Sequence, residues 1–89
     1  MNTTSFIYDT AADQCERTFE TLLQRLWRRN MISISLQAPG MFRQGVIGAM
    51  ISRFDAKGWY VEEVQGGYSG TWLMFVPKEK LDQYKASLD

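Results

Sequence analysis

From Met31 to Val76 the chain passes through an alternating apolar stretch, a helical repeat and two strand-like segments around a glycine-rich bend, with almost no residues between them. Met31 to Gln37 places Ile32, Ile34 and Leu36 on one side and Ser33 and Ser35 on the other, the period of a half-buried strand. Ala38-Pro39-Gly40 then turns the chain. From Met41 or Phe42 to Lys57, the spacing of Phe42, Val46, Met50 and Phe54, widened by Ile47 and Ile51, predicts an amphipathic helix, with Gly58 at the C-cap. Gly45 and Gly48 interrupt this helix, and because an interior glycine costs about 1 kcal/mol relative to alanine, they suggest a close backbone approach.

Trp59 to Val64 and Thr71 to Val76 read as a hairpin joined through Gln65-Gly66-Gly67-Tyr68-Ser69-Gly70, where glycine supplies the positive φ that tight turns demand. A turn centred on Gly67 and Tyr68 pairs Val64 with Thr71. That register groups Trp59, Val61, Glu63, Trp72, Met74 and Val76 on one face, and Tyr60, Glu62, Val64, Thr71, Leu73 and Phe75 on the other.

On the N-terminal side, residues 1–8 read as a frayed end or a short edge strand carrying Phe6, Ile7 and Tyr8. A helix is expected from an N-cap at Asp9 or Thr10 to about Asn30, with Ala12, Cys15, Phe19, Leu22, Leu23 and Leu26 as its buried stripe. Asp13, Glu16, Arg17, Glu20, Gln24 and Arg28 fall mostly on its solvated side, and Arg28 and Arg29 complement the negative end of the helix dipole. After Pro77, Lys78 to Leu88 reads as a terminal helix covering one edge of the core with Leu81, Tyr84 and Leu88. The order is α-β-α-β-β-α. It implies a single α+β domain over residues 1–89, with a small three-stranded mixed sheet, helices packed on it, and a parallel crossover between the first two strands.

Composition narrows the function classes. An apolar fraction of 45% marks a chain that folds, and 10 basic against 10 acidic residues give no global field toward nucleic acid or an anionic surface. One cysteine and no histidine argue against an internal disulfide or a zinc cluster, and Cys15 reads as a small apolar residue. No segment offers the roughly 20 apolar residues that span a bilayer, so a cytoplasmic location is the default expectation. Without histidine the commonest general base is missing, and Glu62 and Glu63, adjacent on a strand, point to opposite faces and cannot cooperate. Ala38-Pro39-Gly40 lacks the repeated glycines and Lys-Ser/Thr pair of a nucleotide loop. No catalytic, cofactor-binding or metal-binding residue is assigned.

Two functional readings remain. The first is a small non-enzymatic protein-interaction module, a regulator or inhibitor that occupies a surface of another protein through Trp59, Tyr60, Tyr68, Trp72 and Met74. These residue types are enriched at interface cores. The open sheet edges also admit a homodimer or an added strand. The alternative is nucleic-acid binding through Arg25, Trp27, Arg28 and Arg29, joined by Arg43 and Arg53, with rings stacking on bases beside phosphate-binding cations.

Overall fold

A computed structural model of the chain describes residues 3–37, 44–65 and 71–88. Three helices and a three-stranded sheet follow the expected order: α1 (Thr3–Leu26), β1 (Ile34–Gln37), α2 (Gln44–Ala56), β2 (Trp59–Gln65), β3 (Thr71–Pro77), a 3-10 turn (Lys78–Lys80) and α3 (Leu81–Ser87). The Ala38-Pro39-Gly40 turn, the first residues assigned to the second helix, and Tyr68 with its glycines lie outside the described residues.

The sheet is antiparallel rather than mixed, in the order β1-β3-β2. β1 and β2 do run in the same direction across the helix that connects them, but β3 is inserted between them, so neither pairs with the other. The most apolar strand takes the centre: Leu73, Phe75 and Val76 of β3 are all fully buried, and a central position covers them from both sides.

The hairpin register also differs from expectation. Val64 pairs with Trp72 and Gln65 with Thr71, which leaves five connecting residues, an odd number, where the sequence reading used an even one. A one-residue slip exchanges every side chain of one strand between faces. The inner face therefore carries Trp59, Val61, Glu63, Thr71, Leu73 and Phe75, together with Ile34 and Leu36 of β1. The outer face carries Tyr60, Glu62, Val64, Trp72, Met74 and Val76, with Ser35 and Gln37.

The inner face is the core. Leu36, Val61, Leu73 and Phe75 meet Val46, Ile47, Met50 and Phe54 of α2 and Phe19 and Leu23 of α1 in one cluster. Phe75 is its hub, with ring centroids at 5.6 Å from Phe19, 5.2 Å from Phe54 and 6.3 Å from Trp59. The last two contacts are near-perpendicular, an arrangement that aromatic quadrupoles favour.

Both ends of α1 depart from the sequence reading. The stretch read as a frayed end or edge strand belongs to the helix from Thr3, so Asp9 and Thr10 are interior residues rather than caps. In the sequence Ile7 and Ala11, like Tyr8 and Ala12, are spaced by four residues, a step that suits a helix as well as Phe6-Ile7-Tyr8 suits a strand. At the other end α1 stops at Leu26, which is 44% exposed rather than buried. Asp13, Glu16 and Glu20 do not face solvent alone: they meet α2, where Arg53 pairs with Asp13 and Glu16 and Lys57 pairs with Glu16 and Glu20. Arg53 and Lys57, one turn apart, face three carboxylates spread over two turns.

Gly58, at φ +93°, ends α2 as expected, its N–H donating to the Asp55 carbonyl at 3.2 Å. The close approach inferred at Gly48 is absent: a Cβ there would meet nothing within 4 Å, and Gly45 is exposed as well. In the terminal helix Tyr84 is buried, but Leu88 is 66% exposed and adds nothing to the core.

Candidate functional site

Among the described residues, two places combine aromatic side chains with accessible surface. The first is the outer face of the sheet. With α1 and α2 both on the inner face, α3 is the one helix among the described residues available to the outer face, and its coverage is partial. Tyr84 of α3 is buried there and donates from its hydroxyl to Glu62 Oε2 at 3.2 Å, while Val76, on the same face, is fully covered. Burial, followed by the charge of Glu62, pushes the Tyr84 phenol above its ordinary range.

Coverage falls toward the hairpin end. Across the strands, Val64 lies beside Trp72 and Trp72 beside Gln37, while one step back Glu62 lies beside Met74 and Met74 beside Ser35. Tyr60, Trp72 and Met74 are half-buried, and Val64 is 37% exposed. The expected site residues Tyr60, Trp72 and Met74 are thus gathered on one face, and the corrected register is what gathers them. Val64 belongs with them and was missed, because the even-numbered turn pairs it with Thr71 and so puts it on the other face of the sheet from Trp72. Trp59 does not join them: it stands on the inner face against Phe75.

The second place is a cleft of about 400 Å³ between the C-terminal parts of α1 and α2 and the start of β2, lined chiefly by Leu23, Trp27, Phe54 and Trp59, with Glu20 and Lys57 at its rim. Trp27 and Trp59 meet edge to face, centroids 5.2 Å apart at 88°. The rim charges are mutually neutralised: Lys57 is bonded to Glu16 at 2.5 Å and also to Glu20. The Lys57 ammonium and, behind it, Arg53 hold the Glu16 carboxyl below its ordinary range. Lys80 lies 5.5 Å from the Trp27 ring centre, and its ammonium donates to the carbonyl oxygens of Arg29 at 2.6 Å and Met31 at 2.7 Å. This lysine clamps the connection between α1 and β1 and completes the wall around Trp27.

The arginines considered for phosphate binding divide. Arg28 turns back on the helix it follows, donating from Nη1 to the carbonyls of Arg25 and Trp27 at 3.0 Å each, as the capping role predicts. Arg53 is committed to Asp13 and Glu16, and Arg43 lies outside the described residues. Arg25 and Arg29 are exposed, while Trp27 is held between Trp59 and Lys80 rather than presented for stacking. Cys15 is half-buried, and burial raises its thiol pKa. Among the described residues no helix is long and apolar enough to cross a membrane.

No protein family, curated protein or solved structure matches the chain.

Proposed function

We propose that the chain is a small non-enzymatic protein-interaction module, a cytoplasmic regulator or inhibitor that seats another protein on the outer face of its sheet. One observation carries this reading: Val64, Trp72 and Met74 share the part of that face where the cover of α3 runs out, with Tyr60, paired with the covered Val76, at the far end of the same face. Tryptophan and tyrosine bring large contact area at little rotameric cost, and methionine adapts to an irregular partner. Glu62 is the one ionisable carboxylate among the outer-face positions of β2 and β3, which favours a partner patch that is apolar with a cationic margin. Tyr68, expected from the sequence to share in partner binding, lies outside the described residues.

The test is the affinity of a captured partner for the full chain and for its Trp72→Ala and Met74→Ala variants, at low and at high salt. Loss of binding by at least tenfold, little altered by salt, supports the reading. Binding that survives both substitutions yet falls steeply with salt and with Arg25→Ala and Arg29→Ala would replace it with phosphate recognition.

A further inference from the structure

The two edges of the sheet are chemically unlike. β2, one edge, carries Glu62 and Glu63 at its middle, and carboxylates at the centre of an edge strand oppose pairing with a second copy of that strand. β1, the other edge, is Ile-Ser-Leu-Gln, with no charge, proline or glycine. The uncharged alternating pattern extends further than the strand does. Ile32 continues the series of Ile34 and Leu36, yet the ladder to β3 begins only at Ile34, and Ile32 is left 38% exposed.

The segment from Met31 to Gln37 is also symmetric about Ile34. Counting outward from Ile34, Ser33 corresponds to Ser35, Ile32 to Leu36, and Met31 to Gln37. A two-fold axis between antiparallel strands makes this correspondence physical: residue i of one copy faces the residue of the other copy that is equally far beyond the axis. With the axis at Ile34, isoleucine faces isoleucine, Ile32 faces Leu36 and serine faces serine, and because partners are an even number of residues apart each pair lies on one face of the joined sheet.

We propose that β1 pairs antiparallel with β1 of a second copy of this chain, centred on Ile34, joining two three-stranded sheets into one of six strands. The second chain draws Ser33 and Ile32 into the strand and covers Ile32, while Met31 keeps its N–H on the Arg28 carbonyl and its own carbonyl on Lys80. Both outer faces then lie on the same side of the continuous sheet, so the dimer presents two copies of the Trp72–Met74 surface together. The pairing uses only the β1 edge and stands or falls separately from the occupant of the outer face.

The experiment uses the full chain. Sedimentation over a concentration series is expected to show a species of twice the 10.3 kDa chain mass. Ser35→Lys, on the exposed side of β1, is expected to shift the protein to the single-chain mass while leaving its circular dichroism unchanged. Register is read in a Cys15→Ser background by mixing a Ser33→Cys chain with a Ser35→Cys chain. Facing positions predict that the mixture cross-links on oxidation far more than either variant alone. A chain that sediments at 10.3 kDa at every concentration overturns the proposal. So does a dimer that Ser35→Lys leaves intact, or cross-linking no greater in the mixture than in the separate variants.

Discussion

Gly48 and Gly58 lie at the middle and the end of the same structural unit, and the fold requires their replacement by alanine to have opposite signs. Gly48 is an exposed interior residue of α2, and a Cβ built there meets nothing within 4 Å. Alanine adds no clash at that point, narrows the unfolded ensemble and removes the glycine penalty, for a gain of about 0.5–1 kcal/mol. In a domain of this size 1 kcal/mol moves the melting temperature by roughly 4–8 °C, so Gly48→Ala is expected to raise it by several degrees. Gly58 has equal room for a Cβ but sits at φ +93°, where an L side chain strains the backbone, and Gly58→Ala is expected to cost roughly 1–2 kcal/mol. Urea unfolding of the three proteins, with the slope of free energy against denaturant unchanged, measures both. A destabilised Gly48→Ala variant would refute the reasoning, because it would mean that α2 is pressed at that point against a surface the fold does not contain.

Further outcomes follow from the same structure. Phe75→Ala removes the hub of four packed rings and is expected to cost about 3–5 kcal/mol by denaturant titration, whereas Trp72→Ala should cost much less. Arg53→Ala, at the partly exposed seam of α1 and α2, is expected to cost under about 1 kcal/mol, and the difference should shrink in high salt. The Glu16 carboxyl, held low mainly by Lys57, contributes stability above the ordinary carboxylate range that is lost as pH falls through its folded value. Glu16→Gln should therefore flatten the acid limb of a stability–pH profile. Tyr84, raised by burial, contributes stability below the ordinary phenol range that is lost as pH rises through its folded value, and Tyr84→Phe should flatten the alkaline limb. Cys15, with its raised pKa, should react with a thiol reagent much more slowly in the native chain than in urea.

Element type was legible where a period was long. The 3.6-residue repeat through Val46, Met50 and Phe54 and the two-residue alternation around Ile34 both mark their elements, because each pattern repeats over several turns or pairs. The α+β class and the order of its elements follow from those patterns. What the sequence reading missed depends on partners distant in the chain. Asp13, Glu16 and Glu20 look like an ordinary solvated face until α2 brings Arg53 and Lys57 opposite them. The insertion of β3 between β1 and β2 depends on the burial of Leu73, Phe75 and Val76 from both sides, and a helix between two strands points equally to adjacent or separated parallel partners.

The candidate site was sensitive to one residue. An even hairpin connection put Trp72 with Trp59, whereas the observed pairing of Val64 with Trp72 puts it with Tyr60 and Val64 and sends Trp59 into the cleft beside Trp27. The residue types were visible in the chain, but their grouping on a face was not. Glycine-rich connections accept several lengths at similar cost, so composition alone does not choose the register.

The measurement that bears most directly on the outer face as the seat of a partner is side-chain NMR of the full chain with and without the captured protein. It follows the three tryptophan indole N–H signals and the methionine methyl signals. The account predicts that Trp72 and Met74 shift or broaden on binding while Trp27, Trp59 and the buried Met50 hold their positions. Perturbation centred on Trp27 and Trp59, with Trp72 and Met74 unmoved, would contradict it and transfer the binding role to the cleft.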